Sequence, residues 1–155
     1  MSHAVGLNED FRDFLATLLE EQVEFVVVGA HALAAAGIVR GTKDLDVFVR
    51  ASPENAPRVL AALRRFGAPL GRHGVALEDF ARGGTIYQLG LPPRRIDLTT
   101  RIDGVAFDRA WAGRVEQRVD GLTLSFLGLE ELVRNRRAVG RARDLADLEL
   151  LREAG

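Results

Sequence analysis

The sequence predicts an α+β domain in which helices flank a mixed β-sheet. Short apolar runs of strand length, such as Val23–Val28, alternate with segments whose apolar residues recur at helical spacing. Asp120-Gly121 joins two runs of alternating apolar residues, a pattern typical of a β-hairpin, so the sheet should contain antiparallel pairs. Two helical segments follow this hairpin, and we expect them to close one domain that spans residues 1–155.

The first half of the chain alternates between helices and short strands. Five apolar side chains of the first segment share one helical stripe: Phe11, Phe14, Leu15, Leu18 and Leu19. Gly37 can end an alanine-rich helix, and Ser52 followed by Pro53 is a typical helix start. The expected elements are a helix over 11–21, a strand over 23–28, a helix over 30–36, a strand over 44–49 and a helix from 52 to about 66.

Glycine and proline divide the second half of the chain into shorter elements. Residues 67–84 are expected to be mostly loop, with one helical turn near 77–80. A turn at Leu91-Pro92-Pro93 separates two expected strands, over 85–89 and 95–99. The remaining expected elements are a short helix over 105–111, hairpin strands over 114–119 and 122–126, and helices over 129–139 and 142–151.

Length and composition are those of an ordinary globular domain, with 155 residues of which 47% are apolar and 28% charged. No apolar run reaches 18 residues and the N-terminus does not form a secretory signal, so we expect a cytoplasmic protein without a membrane span. The absence of cysteine excludes disulfides, thiolate metal sites and cysteine nucleophiles. The net charge of −1 gives no overall basic field for nucleic acid, although five arginines and no acid lie between Arg134 and Arg143.

Gly29 follows a buried-strand pattern and precedes a short helix. A glycine there permits a tight turn and a close approach of the backbone to a ligand. The first turn of the helix offers unpaired N–H groups to a phosphate. Gly29 and Ala30 are therefore candidate phosphate-binding residues, and His31 either contacts phosphate or faces solvent. The alternative is an ordinary buried strand that ends in glycine.

Asp44 and Asp46 lie two residues apart on a predicted strand and therefore point to the same face. Leu45 and Val47 are expected to point into the core. Two carboxylates so close repel each other unless a cation lies between them, and Mg²⁺ binds through a few carboxylates together with substrate phosphates. The pair is a candidate metal site, and the alternative is a surface strand with two solvated aspartates.

Asp97 is a carboxylate inside an apolar strand pattern, where a charge is costly unless it is paired. If this strand adjoins the strand of Asp44 and Asp46, the three carboxylates converge. Such a group fits a two-metal site that holds a triphosphate and activates an attacking hydroxyl, whose proton Asp97 would accept. The alternative is an ion pair of Asp97 with Arg95 or Arg94.

Four more residues are candidates for contacts to phosphate. If the second strand extends backward, Arg40 and Thr42 share the face of the two aspartates, and Lys43 lies beside it. Arg136 falls on the apolar stripe of its helix, where a cation needs a partner such as a triphosphate or Asp97. The alternative for this arginine is a stem on the apolar face with its head in water. Two acids of the last helix are instead expected to pair with nearby arginines: Asp144 and Asp147.

These motifs resemble the nucleotidyltransferase superfamily typified by DNA polymerase beta. The shared pattern is Gly29-Ala30, a helix, Arg40-Gly41-Thr42-Lys43-Asp44-Leu45-Asp46 and the later strand around Asp97. The closing segments, 135–141 and 144–148, are similar to those of abortive-infection (AbiE-type) toxin nucleotidyltransferases and their small single-domain relatives. The resemblance covers about Val23 to Leu151 and implies a minimal nucleotidyltransferase fold closed by its C-terminal helices.

The resemblance implies an enzyme that transfers NMP from an NTP substrate to a hydroxyl of an RNA, such as a tRNA 3′ end, or of a protein. Asp44, Asp46 and Asp97 are then the catalytic residues and the ligands of Mg²⁺ or Mn²⁺. A toxin–antitoxin or phage-defence setting follows, with a cognate antitoxin or other partner protein. The alternative is an inactive module of this fold that regulates a partner protein. It is motivated by Ala30 in the turn and by Arg136 where relatives carry lysine.

Overall fold

Helices and strands alternate along the chain in the computed structural model, which describes residues 7–38 and 44–154. The strands are β1 (Phe25–Val28), β2 (Leu45–Val49), β3 (Ile86–Leu89), β4 (Ile96–Thr99), β5 (Val115–Val119) and β6 (Leu122–Phe126). The helices are α1 (Glu9–Glu20), α2 (Gly29–Ala35), α3 (Asn55–Phe66), α4 (Leu70–His73), α5 (Leu77–Arg82), α6 (Phe107–Ala112), α7 (Leu129–Val139) and α8 (Ala142–Ala154). The predicted α+β class is confirmed.

The strands form one mixed sheet in the order β3-β4-β2-β1-β6-β5. Two neighbouring pairs are parallel, β2 with β4 and β1 with β6, and the other three pairs are antiparallel. The hairpin predicted at Asp120-Gly121 is β5 and β6, and both turn residues have positive φ (51° and 81°). Because β2 lies between β1 and β4, residues from these three strands are brought together across the sheet.

The two central strands are buried between helices. Every residue of β1 and four of the five residues of β2 are buried, the exception being Asp46. This pattern is typical of strands that are covered on both faces. On one side α1 packs against α3, with the rings of Phe14 and Phe66 in edge-to-face contact at 5.0 Å between centroids. Asp46 is thus the one partly exposed residue of an otherwise buried apolar strand.

The structure differs from the sequence prediction mainly at the ends of elements. Two short helices, α4 and α5, form where mostly loop was expected, and each is anchored by a buried side chain, Leu70 and Phe80. The third helix begins at Asn55 rather than at Ser52. The Ser52 hydroxyl accepts a hydrogen bond from the Asn55 backbone N–H (3.0 Å), so the serine caps the helix from outside it.

The C-terminal helices α7 and α8 pack against each other, as the closing pair expected from the sequence. The bounds of α7 match the prediction, whereas α8 continues to Ala154, beyond the predicted end at 151. Across residues 7–38 and 44–154 there is no helix with the length and apolar character that a membrane span requires.

Candidate functional site

Three carboxylates converge where β1, β2 and β4 lie side by side. Asp46 on β2 is the register partner of Asp97 on β4 and, on its other side, of Val28 at the end of β1. Asp44 directly precedes β2 and, two residues from Asp46, falls on the same face of the strand. The strand adjacency on which the predicted convergence depended is therefore present.

Gly29 turns the chain directly behind the Asp46 carboxylate. Its φ of +68° lies in the left-handed region, which favours glycine. A Cβ at this position would lie 3.1 Å from Asp46 Cγ and 3.2 Å from Asp46 Cβ, and closer still to the carboxylate oxygen Oδ2. Both the backbone conformation and the space therefore require glycine, and the turn fixes where the Asp46 carboxylate lies.

Arg95 connects the other two carboxylates. Its guanidinium donates to Asp97 through Nε (2.8 Å to Oδ1) and Nη2 (3.1 Å to Oδ2). Nη2 also lies 3.5 Å from Asp44 Oδ2, and the Arg95 backbone N–H donates to Asp44 Oδ1 at 3.1 Å. The ion pair that was the alternative interpretation of Asp97 is thus present, and it occurs inside the carboxylate group.

Asp46 carries the strongest electrostatic perturbation of the group. Burial raises the pKa of Asp46 from 3.8 to about 7; the negative charge of Asp97 and a hydrogen bond between the two carboxyls add to the rise. Asp44 raises the pKa further, and Arg95 opposes these effects only in part. The site therefore holds more negative charge than its own arginine compensates, and a bound cation would favour the ionised form of Asp46.

A wall of arginines from α7, α8 and the turn between them lines, together with the carboxylates, a cleft of about 470 Å³. Its members are Arg136, Arg141 and Arg143. Arg136 is only 11% exposed and pairs with Asp144 (3.2 Å) and Asp147 (3.7 Å), as was expected of these two acids. Within the described residues, its Nε is nevertheless buried without a hydrogen-bond partner, with Asp147 Oδ2 at 3.7 Å. Arg141 is also paired, through Nε with Asp144 Oδ2 at 2.7 Å, and Asp147 lines the cleft beside the arginines. The cleft thus sets three carboxylates opposite three arginines, two of which are held by acids of the last helix.

The donor chemistry of the carboxylate side fits a hard divalent cation, because all its ligand atoms are oxygens. In the part of the chain that the structure describes, however, no group of three or more His, Asp or Glu side chains lies close enough together to hold a metal ion. Arg95 contacts both Asp97 and Asp44 and supplies positive charge at that point. The three carboxylates therefore fit Mg²⁺ or Mn²⁺ by their oxygen donors and their excess negative charge. In this structure, however, they are spaced around the Arg95 guanidinium and not around a metal ion.

Six of the residues predicted to form the site line this cleft: Gly29, Ala30, Asp44, Asp46, Asp97 and Arg136. His31 does not, because successive residues of a helix point about 100° apart. It lines a separate small apolar cavity, where its ring meets Phe11 edge to face at 5.7 Å. Of the two alternatives for His31, contact with phosphate stays a prediction. Three further candidates lie outside the described residues: Arg40, Thr42 and Lys43.

The cleft also contains residues that the sequence interpretation did not assign to the site. Arg95 had a visible signal, since it shares strand parity with Asp97 and therefore its face. Arg141 and Arg143 had a weaker one, as members of the arginine-rich segment without acids. The pairing expected for Arg136 with Asp97 does not occur, because Arg95 binds Asp97 and the last helix supplies acids to Arg136.

Comparison with solved structures shows the same fold in nucleotidyltransferases. The lincosamide antibiotic adenylyltransferase LnuA, in its lincomycin-bound form, matches with a TM-score of 0.55 and 11% identity, covering 97% of this chain and 99% of that chain. A Thermotoga maritima protein provisionally assigned as a nucleotidyltransferase matches with a TM-score of 0.59 and 17% identity, covering 97% and 95%. No protein-family model and no curated protein sequence matches the chain. The chain has the nucleotidyltransferase fold.

Proposed function

We propose that this chain is a Mg²⁺-dependent nucleotidyltransferase, with residues 1–155 forming one catalytic domain. The observation that carries the proposal is the placement of Asp46 and Asp97 as register partners on adjacent strands, with Gly29 packed directly behind Asp46. The fold supports the same class, since both solved structures described above are assigned to nucleotide transfer.

The carboxylates have distinct roles in this proposal. Asp44, Asp46 and Asp97 would hold the divalent ion, which when bound neutralises triphosphate charge and makes an acceptor hydroxyl more acidic. Asp97 accepts the proton of that hydroxyl as its oxygen forms a bond to the α-phosphorus of the NTP. The bond from the α-phosphorus to the bridging oxygen breaks, and pyrophosphate leaves with the electron pair. Asp97 is thus the residue on which transfer, rather than binding, depends.

The arginine wall is suited to the triphosphate. Arg136 presents a mostly buried guanidinium whose Nε has no hydrogen-bond partner among the described residues, only Asp147 Oδ2 at 3.7 Å. Arg141 and Arg143 line the same cleft. Guanidinium groups bind phosphate oxygens through charge-assisted hydrogen bonds. We therefore assign the triphosphate to the space between this wall and the carboxylates, beside the backbone of Gly29 and Ala30. From the sequence pattern, Arg40, Thr42 and Lys43 are proposed to contribute to the same site.

For the acceptor we propose a hydroxyl of an RNA, such as a tRNA 3′ end, or of a protein. The arginine-rich segment from Arg134 to Arg143 favours RNA, because three of its five arginines line the cleft and basic side chains attract the phosphate backbone. LnuA acts on a lincosamide antibiotic, so a small-molecule hydroxyl is a third acceptor class to test. We propose action in the cytoplasm, in a toxin–antitoxin or phage-defence setting with a cognate partner protein.

Incubation with each of the four α-labelled NTPs tests the proposal, with Mg²⁺ and total tRNA, a neighbouring-gene protein or a panel of antibiotics as acceptors. We expect label on one acceptor class, loss of that label in Asp97→Asn, and no loss in the exposed control Asp103→Asn. Tight nucleotide binding by calorimetry without label transfer to any acceptor would instead support the inactive regulatory module.

A further inference from the structure

Arg95 is placed to respond to the ligands of the cleft. It directly precedes β4 on the face of Asp97, and its side chain is 30% exposed. Its guanidinium holds Asp97 through two hydrogen bonds and reaches Asp44 at 3.5 Å. The Arg95 guanidinium therefore places a positive charge of the protein itself where the proposed function needs a bound divalent ion.

The contacts of Arg95 engage the atoms that a metal ion would use. Both carboxylate oxygens of Asp97 accept hydrogen bonds from the guanidinium. Of the Asp44 oxygens, Oδ1 accepts from the Arg95 backbone and Oδ2 faces Nη2. A divalent ion bound to the same oxygens would lie within a few ångströms of the guanidinium, and like charges at that distance repel each other strongly. Arg95 and the ion therefore compete for Asp97 and Asp44.

A guanidinium displaced from the carboxylates has an anionic partner within the same cleft once nucleotide is present. Arg95 lines the cleft together with Arg136, Arg141 and Arg143, the wall assigned above to the triphosphate. The fork geometry of arginine suits phosphate oxygens as well as it suits a carboxylate. Release from Asp97 and contact with phosphate would then follow from one rotation of a partly exposed side chain.

We propose that Arg95 is an exchangeable counter-cation of this site and a nucleotide-binding residue. It pairs with Asp97 and Asp44 until a divalent ion binds, and it then donates to the triphosphate. This inference rests on the proposed function. Removing the guanidinium should therefore strengthen the binding of a divalent ion without nucleotide and weaken the binding of the nucleotide. A merely structural arginine would not move the two affinities in opposite directions.

The test compares Arg95→Gln with wild type in two titrations. The first follows Mn²⁺ binding without nucleotide by electron paramagnetic resonance, and the second follows Mg²⁺ with each non-hydrolysable NTP analogue by calorimetry. We expect Mn²⁺ to bind roughly tenfold more tightly and the preferred nucleotide roughly tenfold more weakly, the size of one charge-assisted contact. The control is Arg94→Gln, since the neighbouring Arg94 is 58% exposed and, among the described residues, its side chain pairs with Asp10 alone, at 3.9 Å. This variant should change neither affinity.

Thermal melts establish that the variants fold, and Arg95→Lys serves if the glutamine variant does not. Lysine keeps the charge but loses the fork, so it should bind Mn²⁺ with an affinity between those of wild type and the glutamine variant. If the glutamine variant bound both Mn²⁺ and nucleotide as wild type does, or bound both more weakly, the role of Arg95 would be overturned. The proposed function would still stand, provided that wild-type protein bound both. Wild-type protein that binds neither Mn²⁺ nor any nucleotide would overturn both.

Discussion

Replacement of Gly29 by alanine tests whether the turn positions the Asp46 carboxylate. The substitution places a Cβ 3.1 Å from Asp46 Cγ, and closer still to its Oδ2. Ordinary contacts between carbon atoms begin near 3.5 Å, so the carboxyl group must retreat by at least about 0.4 Å. The backbone adds strain, because a side chain in the left-handed region costs about 1–2 kcal/mol. Gly29→Ala should therefore lose both stability and metal affinity.

Gly67→Ala is the matched control for this substitution. Gly67 also has a left-handed backbone, with φ of +93°, but a Cβ there would meet no atom of the described residues within 4 Å. Gly67→Ala should unfold about 1–2 kcal/mol more easily in urea, and its melting temperature should fall by roughly 2–8 °C. Gly29→Ala should lose at least as much stability, because the contact with Asp46 adds to the backbone strain. Only Gly29→Ala should also weaken Mn²⁺ binding, by about tenfold or more, because only this variant displaces a ligand.

The two assays separate strain from displacement. A loss of stability in both variants, with a loss of Mn²⁺ affinity confined to Gly29→Ala, would support the account. If Gly29→Ala bound Mn²⁺ as tightly as wild type, the reasoning would be refuted, since the Asp46 carboxylate could then not be a ligand in the position that the turn fixes. Equal losses of affinity in both variants would refute it as well, because the effect would then be one of general stability.

Three further predictions concern charged groups. In EDTA, thermal stability should fall as the pH rises from 3.8 to about 7, because folded Asp46 keeps its proton over this range and the unfolded chain does not; Asp46→Asn should abolish the fall. Asp144→Ala should lower the free energy of unfolding in urea by about 3 kcal/mol at pH 7, because it leaves the mostly buried Arg136 short of a partner. Burial opposes ionisation of Asp144, yet Arg141 and Arg136 lower its pKa, so this difference should shrink as the pH falls below 3.8. Asp97→Asn should reduce turnover by about 10³-fold in a single-turnover assay, with less than a tenfold change in nucleotide affinity.

Each of these predictions has an outcome that contradicts it. A stability that is flat between pH 3.8 and 7 in EDTA would mean that the pKa of Asp46 is not raised. An Asp144→Ala variant as stable as wild type would show that Arg136 keeps other partners. Full turnover by Asp97→Asn would remove the proposed proton acceptor. In all three experiments Asp103→Asn, which changes an exposed carboxylate, should behave as wild type.

Strand parity was the part of the site that sequence alone could predict. Side chains alternate along a strand with a period of two, so Asp44 and Asp46 had to share a face once Leu45 and Val47 were buried. Asp97 lay on a second apolar strand, and only the pairing of β2 with β4 remained to be established. The hairpin of β5 and β6 could also be predicted from local sequence, because Asp120-Gly121 is a typical hairpin turn.

The remaining features depend on contacts between distant parts of the chain. Arg95 could be placed on the face of Asp97, but its bridge to Asp44 requires knowing which strands are neighbours. The arginines that follow α7 reach the cleft only because α7 and α8 pack as they do. The sequence left His31 open between phosphate and solvent, because the sequence pattern does not set the rotation of the helix that decides where this side chain points.

The central claim is that this site transfers a nucleotidyl group, and parallel reactions with α-labelled and γ-labelled NTP test it most directly. With Mg²⁺ and an acceptor hydroxyl present, label from the α-phosphate should appear on the acceptor and label from the γ-phosphate should appear in pyrophosphate. Transfer of the γ-label to the acceptor, or no transfer of either label to any acceptor by folded protein that binds nucleotide, would contradict the claim.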